Sequence, residues 1–238
     1  MKILNRNYFY VRLRSIIDPL TSRRKFFKLK EMVESGSRHG VFIQIGAGAG
    51  DLDIRAGCKD GFSQLVKSVD HRLIAEIALV EPNLLNFSLL TKSWSNFEHV
   101  SFFQLAITPN SYGFKKCQIY WSHLDAPNFQ TASINPNHVL KHFPTQEIED
   151  LDVLETDCIS LSKFLDQYNG CHIKLVGLDI EGIDDEVILE TDFSKYDIDL
   201  ISFEYIHMGE KLQDVKKHLE LSGYRFVGFG VDVNNFDY

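Results

Sequence analysis

Val41-Phe42-Ile43-Gln44-Ile45, running into Gly46-Ala47-Gly48-Ala49-Gly50, is the stretch on which the fold turns. All but one of the first five side chains are apolar, and Val41, Ile43 and Ile45 are β-branched, the composition of a parallel strand buried on both faces. The glycines that follow let the backbone turn sharply and let a ligand approach where a Cβ would stand in the way. Working outward, 62–71 has helical spacing through Phe62, Leu65, Val66 and Val69, and Ile77-Ala78-Leu79-Val80 is a second buried strand stopped by Glu81-Pro82-Asn83. A helix over 84–92 follows. Strand, glycine turn, helix, strand, helix opens a doubly wound α/β sheet, mostly parallel, with helices on both faces.

Further along, the pattern predicts a third strand over 100–107, ended by the breakers Pro109, Asn110 and Gly113. An irregular insertion around 115–148 is expected over the sheet's edge, with an extra strand at 117–121 and punctuation by Pro127, Pro136 and Pro144. Order then returns with a turn and helix over 156–168, a fourth strand over 173–178 and a helix over 185–190. A fifth strand is placed at 198–203 and a helix at 211–221, which Gly223 closes. The sixth strand is 224–229, and the tail at 231–238 is read as a short seventh. The predicted organisation is a basic lead, 1–37, ahead of one domain, 38–238.

A chain of 238 residues with 44% hydrophobic content has enough apolar material for one sizeable core. Its formal charge of −8 excludes a surface devoted to nucleic acid, which needs clustered Lys and Arg. The charge is uneven: residues 1–30 hold nine basic side chains against Asp18, giving +8, so the remainder carries −16. This lead is read as a solvated helix on the domain edge, with peripheral contact to an anionic membrane face as its functional alternative. Arg12 and Arg14 interrupt any signal-like apolar run. Cys58, Cys117, Cys158 and Cys171 form no C-x-x-C pair, so neither a zinc ribbon nor a dithiol site is indicated and a cytoplasmic setting is expected.

In an open α/β sheet the ligand lies beyond the carboxyl ends of the strands, and those ends nominate the site. They carry the turn at Gly46, Ala47, Gly48 and Gly50, then Glu81, Ala106, Asp179 with Glu181, and Glu204 with His207. A dinucleotide fingerprint is disfavoured: Asp51 stands where its third glycine belongs, and Glu81 lies beyond the roughly 20-residue spacing of its ribose acid. An acid such as Glu81 can still accept both hydroxyls of an adenosine ribose, its bland alternative being a solvated strand-end carboxylate.

Together, Ile43 to Gly50, Leu79-Val80-Glu81-Pro82-Asn83, Leu178-Asp179-Ile180-Glu181-Gly182-Ile183-Asp184 and Ile201-Ser202-Phe203-Glu204-Tyr205-Ile206-His207 resemble the FkbM family of S-adenosylmethionine-dependent methyltransferases, in order and from about Val41 to about Gly230. The D-x-E-G block is the most specific piece. The resemblance implies a class I, Rossmann-like methyltransferase fold whose cofactor, S-adenosylmethionine, is held by Gly46, Ala47, Gly48, Gly50, Glu81, Pro82, Asn83, Ala106 and Glu181. It also implies O-methylation of a saccharide, polysaccharide or related small metabolite. Three departures stand out: Gln44 replaces an acid before the glycine turn, Gly177 replaces a lysine two residues ahead of Asp179, and Asp184 replaces a glutamate.

Methyl transfer to oxygen is an in-line displacement that also removes a proton from the acceptor. Asp179, Glu204 and His207 are the expected proton acceptors, the alternative for His207 being a packed strand-end histidine. A divalent metal on Asp179, Glu181 and Asp184 is weighed below helix capping or cofactor contact for those acids. His138 and His142, four apart, with His123 in the same insertion, are read as solvated or substrate-facing rather than as a zinc site. Trp121 and Phe129 join them as residues able to meet a sugar. Two other functions stay open beside methyl transfer: a noncatalytic module that kept the fold, and an NAD-type oxidoreductase.

Overall fold

A computed structural model describes residues 7–12, 19–35, 38–52, 60–126, 130–205 and 207–229. Cys58, Phe129 and the expected strand at 231–238 lie outside the described residues. The chain runs through β1 (Asn7–Arg12), α1 (Pro19–Glu34), β2 (Gly40–Ile45), α2 (Gly61–Ser68), β3 (Ile74–Val80), α3 (Leu84–Ser93), β4 (Val100–Phe103), β5 (Ala106–Thr108), β6 (Lys116–Trp121), α4 (Pro136–His142), β7 (Asp152–Ser160), α5 (Leu161–Leu165), β8 (His172–Leu178), α6 (Asp184–Leu189), β9 (Asp197–Glu204), α7 (Lys211–Leu221) and β10 (Tyr224–Phe229).

Among the described residues, seven strands make the main sheet in the order β10-β1-β9-β8-β2-β3-β4, every neighbouring pair parallel. Side chains alternate faces along a strand, and β2 feeds both cores. Val41, Ile43 and Ile45 pack with Phe164, Val187, Ile188 and Leu219 of α5, α6 and α7. Phe42 packs on the other face with Phe62, Leu65, Leu90 and Trp94 of α2, α3 and the α3 C-cap, joined by Val33 of α1. The α/β fold with helices on both faces, expected from the alternation of elements, is the observed one. Helix starts follow from local chemistry: Asp60, Asn83, Asn135 and Ser160 each accept a first-turn N–H with a side-chain oxygen. Again among the described residues, no helix is long and apolar enough to cross a membrane.

From β2 the chain proceeds one way to β3 and β4, and from β8 the other way to β9. The reversal between β2 and β8 is the point at which such a sheet opens a crevice at its carboxyl edge. Four elements differ from expectation. The strand expected over 100–107 breaks at the exposed Gln104: β4 stays in the main sheet, while β5 pairs with β7 in a second, three-stranded sheet ordered β5-β7-β6. The turn expected from Thr156 is the end of β7, whose inward positions Thr156, Cys158 and Ser160 are too polar to register as a buried stripe. The helix expected over 62–71 stops at Ser68, where Val69 turns extended and Asp70 starts a separate turn through His71–Leu73. In the basic lead, expected to lie outside the sheet, Asn7–Arg12 is a strand between β9 and β10.

Candidate active site

The glycine turn is fastened to the strands on either side of β2. The N–H groups of Gly46 and Ala47 donate to the Val80 carbonyl at 3.0 and 2.9 Å, and Asp179 N–H donates to the Ile45 carbonyl at 2.9 Å. Gly46, at φ +75°, passes so close to β8 that a Cβ would lie 1.8 Å from the Asp179 carbonyl oxygen. Both its left-handed backbone and this approach require glycine. Gly48 N–H donates to Glu81 Oε2 at 2.8 Å, and Asn83 N–H donates to Glu81 Oε1 at 2.9 Å. Glu81 is only 5% exposed. Burial pushes its carboxyl up to about 7, against the opposing pull of the Asn83 and Gly48 amides.

These residues wall a cleft at the crevice. Gly46, Ala47, Gly48, Gly50, Glu81, Pro82, Ala106, Asp179 and Glu181, all nominated by the sequence, line it. Asn83 does not: its side chain caps α3, and its amide holds Glu81. Sequence reasoning missed Asp60 and Ser133, which also line the cleft. The signal for Asp60 was its place as N-cap of α2; nothing local marked Ser133.

The departures from the family pattern are accommodated by packing. Buried Gln44 donates through Nε2 to Asp60 Oδ1 at 3.1 Å, steadying an acid that itself faces the cleft. Gly177 makes room for Phe62: a Cβ there would meet the ring at 3.3 Å. Asp184 accepts Ile180 N–H at 3.2 Å, tying up the loop after β8. Its carboxyl lies well above the usual range, from burial first and the charge of Asp179 second. Asp51, the residue that broke the dinucleotide pattern, bonds Lys67 Nζ at 2.5 Å, and its amide bonds Ser93 Oγ.

Across the crevice the loop after β8 meets the insertion. Glu181 is a non-glycine residue at φ +52°, a conformation worth about 1–3 kcal/mol of strain. Ser133 Oγ donates to its carbonyl at 2.7 Å, and His138 Nε2 lies 3.1 Å from its Oε2. Gly182, at φ +94°, backs directly onto His138, and a Cβ would lie 2.4 Å from Nδ1. The glycine of the D-x-E-G block therefore seats a histidine from a distant helix. His138 is 2% exposed, and burial, aided by Lys141, lowers it to about 4. It is neutral near pH 7, so its contact with Glu181 is a hydrogen bond rather than an ion pair.

His142 and His207 complete the arrangement, their rings 5.1 and 4.6 Å from the His138 ring. His207 Nε2 stands 4.0 Å from both Glu181 Oε2 and Glu204 Oε2. Of the three proton acceptors nominated by the sequence, Asp179 lines the cleft, whereas Glu204 and His207, grouped beside Glu181, do not. The acidic set Asp179, Glu181 and Asp184 does not assemble as a metal site among the described residues. Glu181 groups instead with Glu204 and His207, and His207 groups with His138 and His142.

A parallel α/β sheet with a glycine-turn cleft at its reversal point, facing acids that follow β3 and β8, is the architecture of a Rossmann-like ligand-binding domain. Residues 46–226 match the methyltransferase FkbM domain, and the chain belongs to that family. No curated protein and no solved structure matches the chain.

Proposed function

We propose that the protein transfers a methyl group from S-adenosylmethionine to a hydroxyl of a saccharide or related small metabolite. The observation that carries this reading is the Gly48–Glu81 tie: a cleft-lining carboxylate placed to meet a ribose diol also organises the turn that would flank the donor. Each Glu81 oxygen accepts one amide N–H and keeps a lone pair for a ribose hydroxyl. Gly46 to Gly50 would run beside the methionine portion, with Ala106 and Pro82 supplying apolar wall.

In the transfer, a lone pair of the acceptor oxygen attacks the methyl carbon as the carbon–sulfur bond breaks. The sulfonium becomes a neutral thioether, and the hydroxyl proton passes to a base. Asp179, the cleft-lining member of the nominated trio, is assigned that role; Glu204 and His207 act through Glu181. Alignment and exclusion of water supply most of the rate. Binding of S-adenosylmethionine by calorimetry, followed by transfer of a labelled methyl group to pooled glycans and polyols, tests the reading. Asp179→Asn should lower turnover by about 10²-fold or more while leaving donor affinity within a few-fold. Failure to bind the donor, or labelling of nitrogen or carbon acceptors alone, overturns it.

A further inference from the structure

We infer that His138, His142 and His207, with Glu181, form a binding site for a first-row transition metal ion of the zinc type, built into the wall of the cleft. One ligand nitrogen from each of the three histidines lies within 4.8 Å of the other two, and Glu181, Glu204 and His207 satisfy the same condition. His207 belongs to both groups, which sets Glu181 beside the three histidines. Tetrahedral ligands about 2.0–2.1 Å from zinc stand roughly 3.4 Å from one another. Glu181 Oε2 is already 3.1 Å from His138 Nε2 and 4.0 Å from His207 Nε2. These two spacings lie within about 1 Å of that value, and the metal would take the place of the proton at a histidine nitrogen.

Three independent stretches converge to make this centre. His138 and His142 lie one turn apart on α4, Glu181 follows β8, and His207 follows β9. Nothing in the requirements of a hydrophobic core calls for three imidazoles and two carboxylates at one point. The Glu181 and Glu204 side chains are 12% and 7% exposed, and both face the same His207 nitrogen at 4.0 Å. Two carboxylates so placed repel each other in a medium that screens poorly, and a cation offsets that cost. Imidazole-rich donors select zinc, iron, nickel or copper over magnesium and calcium. Supporting contacts are present as well: Ser133 fixes the Glu181 carbonyl, and Gly182 admits the His138 ring.

Because Glu181 is the one of these four ligands that lines the cleft, and four protein ligands fill a tetrahedral shell, an ion here would stiffen the wall that meets the acceptor without touching the acceptor itself. That consequence rests on the proposed methyl transfer; the site itself does not. The test uses the full chain, stripped with a chelator and titrated with Zn²⁺ in a calorimeter and with Co²⁺ by visible absorption. We expect one equivalent of each metal and the d–d bands of a low-coordinate Co²⁺ centre. His142→Ala changes an exposed side chain, and this variant and His207→Ala should each weaken Zn²⁺ binding at least tenfold while keeping the wild-type melting temperature of the metal-free protein. No stoichiometric uptake, uptake unchanged in both variants, or uptake of Mg²⁺ alone overturns the site. Calorimetry with S-adenosylmethionine on the same samples keeps the two ideas apart: donor binding without metal uptake sinks only this site, and metal uptake without donor binding sinks only the methyl-transfer reading.

Discussion

The two walls of the cleft are built on different principles. The wall over β2 and β3 is made by the backbone: glycines, amide donors and one carboxylate, drawn from 46–50 and 81–83 and locked by N–H bonds to Val80 and Glu81. The wall over β8 is made by side chains, with Ser133 and His138 reaching Glu181 across 48 and 43 residues of sequence. A backbone-built wall suits a ligand that never changes. A wall assembled on an insertion can change its specificity without disturbing the sheet, because the supporting strands do not depend on it.

The largest blow to the first wall should come from Gly46→Ala. A methyl group 1.8 Å from the Asp179 carbonyl, at φ +75°, combines backbone strain with overpacking and should cost about 3 kcal/mol or more, read as a fall in chemical-denaturation midpoint. Gly182→Ala is its counterpart on the second wall: the clash is with the buried His138 ring rather than with backbone, so about 2–3 kcal/mol is expected. Donor affinity should survive there while acceptor turnover falls. A Gly182→Ala protein that loses donor binding as fully as Gly46→Ala would erase the distinction between the walls.

Glu81 sharpens the comparison through pH. Its folded-state value of about 7 lies above the ordinary 4.5, so the folded protein holds this proton more tightly than the unfolded chain. The corresponding stability is fully present below the ordinary value and is lost as pH rises through about 7. Melting curves of wild type against Glu81→Gln, from about pH 4 to pH 8, should show the wild type losing ground as pH rises. Donor binding has the opposite sign. A diol requires the ionised carboxylate, so affinity should climb up to about pH 7 and binding should release a proton below it. Calorimetry in buffers of different ionisation enthalpy reads that proton directly.

The smallest effect belongs to Ser133→Ala. Removing the 2.7 Å bond to the Glu181 carbonyl should cost about 0.5–1.5 kcal/mol and raise the acceptor KM with the donor Kd unchanged. An altered donor Kd would mean that the second wall also shapes the first.

The same division governs how much of the molecule is legible in the amino-acid sequence. Gly46 to Gly50, Glu81 and the Asp179–Gly182 block sit at the ends of strongly apolar strands, so their position on the rim follows from local pattern alone. The partnership of His138 and His142 with His207 has no local signature, because only the packing of α4 against the segment after β9 brings the third imidazole within reach. β7 escapes pattern reading because it buries Thr156, Cys158 and Ser160 rather than aliphatic side chains. Gln44 reads as a defect in the motif when taken alone; paired with Asp60 it is a working part of the cleft wall.

The place of β1 bears on how the chain assembles. Residues 7–12 pair on one side with 197–204 and on the other with 224–229, so β1 finds its neighbours only after the strands from β2 to β8 have been made. Its docking closes a loop that contains every strand from β2 to β8, a step that local contacts cannot hasten. The sheet's far edge is then a late event, and refolding monitored by amide protection should find Asn7–Arg12 and Tyr224–Phe229 gaining protection together after the strands that carry the cleft.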